Sequence, residues 1–129
     1  MSSVNSTPSY KLFTEDELMQ KYNIGFPEHL ASTGGVILNT CICVDPVQKI
    51  YAMSTNGQRQ HHHVYEWLKQ SKVGRKFIEC EWRYGFVTSE GRWVNRRDAM
   101  TIAVAANQVR PQYTSDSELT SVILKEIYV

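Results

Sequence analysis

A chain of 129 residues can bury one core, and 42% hydrophobic residues is a globular composition rather than a disordered one. Fourteen Lys and Arg against 13 Asp and Glu leave a net charge of +1, which argues against nucleic-acid backbone binding, since that needs a broadly basic face. No apolar run has the ~18 residues of a membrane span, and MSSVNSTPSYKLFTEDE lacks the apolar stretch of a secretory signal, so the expected setting is a reducing cytoplasm.

Residues 1–13 are polar and are expected to be mobile. Thr14-Glu15-Asp16-Glu17 fits a capping box that opens a short helix over 15–22. Gly25, Pro27, Gly34 and Gly35 then punctuate a loop. Residues 1–33 are therefore assigned to an N-terminal extension and 34–129 to the folded domain.

Val36–Val44 is β-branched and apolar, as in a strand buried on both faces. Asp45-Pro46 turns the chain into a second strand, Lys49–Ser54, which Asn56-Gly57 stops. From about Gln60 to Gln70 the period becomes helical, with His61, Val64, Tyr65 and Leu68 on one face. Lys72-Val73-Gly74 ends that helix. Lys76–Tyr84 alternates, with Ile78, Cys80, Trp82 and Tyr84 as the inward set, and predicts a strand.

Ser89-Glu90-Gly91 makes a turn, and Arg92–Val94 returns as a short strand. Asn95 suits a helix N-cap, with Asp98 at its third position. The helix through Ala106 is apolar on most sides and so needs cover on more than one, the second from another subunit. Asn107-Gln108 end it, Pro111 prevents resumption, and Ser117–Tyr128 predicts a last helix, with strand at Val122–Leu124 and Ile127–Val129 as the alternative. The sum is an α+β domain: a small antiparallel sheet with helices packed on one side.

The three cysteines, Cys41, Cys43 and Cys80, form no zinc pattern and are read as buried thiols. His61-His62-His63 are consecutive, so on a helix they point about 100° apart and cannot close on one metal. Either His61 packs inside, or one histidine hydrogen-bonds a polar ligand. Arg59 precedes this helix, where free amides suit an anion; the alternative is a solvated surface arginine.

Arg96 and Arg97 stand at the next helix entrance, where a cation opposes the macrodipole and an acidic residue is expected. An anion there would remove the conflict, with Arg92 and Arg110 as further donors. Alternatively Arg97 pairs with Glu90 or Asp98. Phe86 and Trp93 either stack on a base or pack in the core. Phosphate-binding glycine loop, GxSxG motif and dinucleotide fingerprint are all missing from the sequence, so the residues speak for binding rather than turnover, with no cofactor expected.

The run GFVTSEGRWVNRRDAMTIAVAANQ, with the hairpin leading to Arg59 and with Ser117-Glu118-Leu119, resembles a signature of small phage proteins. It is similar in particular to the phage Thoeris anti-defence sponges of the first type, over about residues 35–120. The resemblance implies a protein of the infected host's cytoplasm that sequesters cyclic ADP-ribose isomers intact, as a dimer or hexamer with ligand held between protomers. Cyclic dinucleotides or trinucleotides are the alternative ligands. By position it implies Arg59 and Arg110 as phosphate contacts, Phe86 as the stacking ring and Asn95 as a polar contact. His61, Trp93, Arg96 and Arg97 complete the candidate set. The chain departs from the pattern in a longer N-terminal segment, a longer last element and Trp93 in place of Phe. The rival readings are an enzyme that cleaves such a nucleotide through His61 or His63, and a protein that binds a host factor through Trp67 or Trp93.

Overall fold

The computed structural model describes residues 9–22, 36–56, 59–110, 114, 117–120 and 123. In chain order it runs β1 (Tyr10–Thr14), α1 (Glu15–Tyr22), β2 (Ile37–Asp45), β3 (Ile50–Ser54), α2 (His61–Gln70), α3 (Lys72–Arg75), β4 (Arg83–Thr88), β5 (Trp93–Asn95) and α4 (Arg96–Ala105). The strands form one sheet in the order β1-β3-β2-β4-β5, with every neighbouring pair antiparallel. This is the α+β architecture expected. The loop glycines 25, 34 and 35, and residues 121, 122 and 124–128 of the predicted 117–128 helix, lie outside the described residues, while 117–120 are described and carry no helix.

Strand periodicity divides the core. Ile42, Ala52 and Phe86 alternate with Cys41, Cys43, Tyr51, Met53 and Val87, so the two sets face opposite ways. On the first face α2 brings Val64 and Leu68 over Ile42, Val44 and Ala52, while α4 brings Ala99, Met100 and Ala103 over Ile37, Phe86 and Val94. These two helices share one side. On the other face α1 contributes Leu18 to the cluster of Phe13, Cys41, Cys43, Tyr51, Met53 and Val87. β2 is buried nearly throughout, as its unbroken apolar run requires.

Local chemistry sets several boundaries. At α1 the Thr14 hydroxyl accepts the Glu17 N–H (3.2 Å), and the Glu17 carboxylate accepts the Thr14 N–H (2.9 Å), closing the capping box. α4 stops where Asn107 takes a left-handed φ of 62°. The next residue, Gln108, accepts from Ile37 N–H (2.7 Å) and donates to Ile37 C=O (2.9 Å). That buried amide supplies a strand-like partner at the end of β2, beside its register shift between Ile37 and Asn39.

Two further segments differ from expectation. Residues 10–13, expected in a mobile stretch, form β1 with Thr14 and pair with β3 from Tyr10↔Ser54 to Thr14↔Ile50. Tyr10 and Leu12 pack on the α2 side and Phe13 on the α1 side, an alternation that polar neighbours hide in the sequence. Residues 76–82, expected in a strand, instead follow the short α3 in turns. The Ser71 hydroxyl accepts the Gly74 N–H (3.0 Å), and Trp82 Nε1–H donates to Phe77 C=O (2.8 Å), which folds the chain back. Ile78, assigned to the inward set, is 61% exposed.

Gly85 pairs with Cys41 on one side and Asn95 on the other. A Cβ there would collide with the Val94 carbonyl and stand 2.5 Å from the Trp93 ring. Gly85→Ala is expected to cost about 1–3 kcal/mol through overpacking. Urea unfolding measures it; an unchanged midpoint would show that Trp93 moves aside freely.

Candidate functional site

Where the start of β4 meets the entrance of α4, the structure has an open cleft of about 500 Å³ lined by Trp82, Arg83, Tyr84, Asn95, Arg96, Arg97 and Glu118. Trp82, just before β4, and the first two residues of β4 deliver the first three side chains, and the β5–α4 junction the next three. Glu118 arrives on a C-terminal stretch held by the Leu119 N–H, which donates to Arg96 C=O (3.0 Å).

The helix entrance is capped within the chain. Asn95 is extended (φ −72°, ψ 172°), and its side-chain oxygen accepts the Asp98 N–H at 2.8 Å. Asp98 supplies the acidic residue that the first turn favours. The Arg96 guanidinium lies 3.4 Å from the Glu118 carboxylate. Among the described residues Arg97 has no ion pair, and Glu90 pairs with Arg92 instead (3.9 Å). The lining carries three guanidiniums against one carboxylate. Such a surface attracts anions, and planar guanidiniums suit phosphate oxygens.

Behind the cationic rim stands an aromatic layer. His61 is buried and stacks on Tyr84, with ring centres 4.9 Å apart and planes 9° from parallel. It meets Phe86 edge-on at 4.9 Å. Tyr65 approaches Trp82 and Tyr84 edge-on at 5.6 and 6.3 Å. Tyr84 is 36% exposed into the cleft region, so part of its surface remains open to a ligand ring. Burial raises the Tyr84 phenol, with Tyr65 adding to the rise and Arg96 opposing it. The phenol therefore stays a hydrogen-bond donor at neutral pH.

His61 Nε2–H donates to the Gly85 carbonyl at 2.6 Å. Burial pushes its pKa down to about 4; the Gly85 bond opposes that, and the nearby Arg96 charge adds to it. A neutral imidazole fixed between Tyr84, Phe86 and a backbone carbonyl acts as a structural brace.

The structure gathers Asn95, Arg96 and Arg97 of the expected site residues into one cleft, with His61 braced behind it. Phe86, expected as a stacking ring, has no exposed surface: it sits between His61 and the α4 core. Trp93 turns to the opposite face, where its Nε1–H donates to Cys41 C=O (2.9 Å) and its ring lies over Tyr51. Arg59 is clamped to β2 through its backbone, its N–H donated to Asn39 Oδ1 (3.3 Å) and its C=O accepting the Thr40 hydroxyl. Arg59 and Arg110 do not line the cleft.

Trp82, Tyr84, Arg83 and Glu118 join the site without having been singled out for it. Trp82 and Tyr84 had the alternation of core residues, and only the turn before β4 leaves them at the rim. Among the described residues, no three His, Cys, Asp or Glu side chains come together as a metal site. Burial raises the Cys41 and Cys43 thiols, so neither is an activated nucleophile. No helix among the described residues is long and apolar enough to cross a membrane.

A family model described as the phage T4 y16D protein matches residues 36–125, well over half of the 129-residue chain, and the chain belongs to that family. No curated protein and no solved structure matches it.

Because folding lowers the His61 pKa from 6.5 to about 4, the unfolded chain takes up the proton first. Its contribution to stability is intact above the unfolded value and drains away as pH falls from about 6.5 towards 4, a loss of about 3 kcal/mol at full extent. NMR titration should find the His61 ring neutral at pH 5.5, and His61→Gln should flatten this part of the stability profile. A His61 resonance titrating near 6.5 would contradict the brace.

Proposed function

We propose that this member of the phage T4 y16D protein family binds and holds a cyclic nucleotide immune signal, a cyclic ADP-ribose isomer, without cleaving it. One observation carries the reading: a cleft that sets Arg83, Arg96 and Arg97 beside the half-buried ring of Trp82 and the exposed ring of Tyr84 at the entrance of α4. Guanidiniums and a helix N-terminus suit the ligand's phosphates, and aromatic faces suit its base. Tyr84, rather than Phe86, takes the stacking role here, held flat by His61 from behind. Asn95 keeps its polar edge at the rim.

Sequestration asks for fixed donors and no general base beside the ligand. A buried His61 committed to the Gly85 carbonyl favours binding over turnover. The cleft is open, so a ligand seated in it keeps one side in water. A second copy of the chain closing that side would bury the ligand, and the reading assigns Arg59 and Arg110 to contacts made in the closed assembly. Ile102 and Val104 already pack against their own core, so the α4 surface by itself does not demand the second copy.

Capture and release tests this reading. Purified protein is mixed with cyclic ADP-ribose isomers and cyclic oligonucleotides, freed of unbound ligand and heat-denatured, and the supernatant is weighed by mass spectrometry. An intact cyclic ADP-ribose isomer in proportion to protein is expected, and cleaved product in excess over protein would make the chain an enzyme. No bound nucleotide would favour a host-factor binder.

Arg97→Ala and Tyr84→Ala are each expected to weaken capture about tenfold or more, as for a lost charged hydrogen bond or stacking ring. Calorimetry reads the change, and full retention of affinity in both variants would remove the cleft from the binding site.

A further inference from the structure

Glu118 is an odd residue to find among guanidiniums. Its neighbour Leu119 is fully buried against the α4 core, and the Leu119 N–H is bonded to Arg96 C=O. The carboxylate is therefore delivered to one place beside Arg96 rather than swinging on a loose chain. The pair is half open to water, at 39% and 58% side-chain exposure, and such pairs are weak. Arg96 is also the cation whose charge reaches both His61 and Tyr84, so it lies next to the aromatic layer. Among the described residues Arg83 and Arg97 have no ion pair. The cleft thus holds two open guanidiniums and one occupied by an internal carboxylate.

We infer that Glu118 is a built-in counter-anion that a ligand bearing two linked phosphates displaces from Arg96. This rests on the cleft being the anion site proposed above. A single phosphate can settle on Arg83 and Arg97 and leave the Arg96–Glu118 pair intact. A diphosphate reaches the third guanidinium, and two negative charges outcompete one carboxylate held by a weak, hydrated bond. Glu118 therefore sets the affinity threshold for diphosphate ligands, and it re-covers Arg96 when the ligand leaves.

The probes are inorganic pyrophosphate and orthophosphate, titrated at low ionic strength by calorimetry into wild type, Glu118→Gln, Arg96→Gln and the double variant. Gln keeps the shape and backbone contacts of an exposed Glu, and an unchanged melting temperature confirms the fold. Glu118→Gln should bind pyrophosphate up to about fivefold more tightly, the range of an exposed ion pair. Orthophosphate should gain less, and the pyrophosphate gain should vanish in the Arg96→Gln background. Equal or weaker pyrophosphate binding by Glu118→Gln overturns the inference. So does a gain that survives without Arg96, or a failure of every variant to bind pyrophosphate. The expected pyrophosphate pattern without capture of a cyclic ADP-ribose isomer would keep the Glu118 role and remove the nucleotide reading. Capture of the nucleotide with no gain in Glu118→Gln would do the reverse.

Discussion

Gly85 has no side chain, and the cleft end of the molecule is built on that gap. The Trp93 ring fills the space a Cβ would need, which lets β5 lie close along β4. The Gly85 carbonyl receives the His61 N–H, which fixes the start of α2 to the sheet. From His61 the order passes by ring stacking to Tyr84 and so to the cleft. From the β4–β5 pairing it passes to Asn95, whose side chain caps α4 and aims Arg96 and Arg97. One small residue thus couples both walls of the cleft to the sheet.

The helix entrance shows how a local conflict is contained. Two arginines in the first turn of α4 raise a potential that is already positive. Asn95 satisfies a free amide and Asp98 supplies a compensating charge, so the helix forms without help from outside. What remains is a cationic rim with its own weak counter-ion, backed by neutral rings instead of acids. That combination attracts anions. Burial works against an activated thiolate in Cys41 and Cys43 and against a protonated imidazole in His61.

Features fixed by neighbouring residues were the legible ones. The Thr14–Glu17 capping box, the β2–β3 hairpin, α2 and the Asn95 cap each depend on contacts a few residues apart, and each lies within a residue or two of its predicted place. Features fixed by distant contacts were not. β1 exists because β3 offers an edge to YKLFT, a segment whose own composition is unremarkable for a strand. The 76–84 alternation was a false period: Ser71, Gly74 and the Trp82–Phe77 bond set the path there. Asn95, Arg96 and Arg97 were identifiable as a broken local rule. Trp82, Tyr84 and Glu118 were not, because their role depends on which side of the sheet meets the α4 entrance. Phe86 and Trp93 had two readings from sequence: Phe86 is fully buried, and Trp93, partly buried, packs on the face opposite the cleft.

The pairing of β1 with β3 also bears on how the chain is made. Tyr10 leaves the ribosome well before its partner Ser54, and Ile37 precedes by 71 residues the Gln108 amide that secures its backbone. Once Ser54 has emerged, the β2–β3 hairpin and the β1–β3 pairing can both form, while the Gln108 contact is still waiting. Loop closure favours the hairpin, whose ends lie fewer residues apart, so β1 meets an edge that β2–β3 pairing sets. During that interval YKLFT and the uncovered β3 edge are complementary surfaces on one nascent chain, and on every neighbouring nascent chain. A β1 strand from another copy would fit the same edge, and the short α1, which follows β1 directly, ties the strand to its own sheet through Leu18.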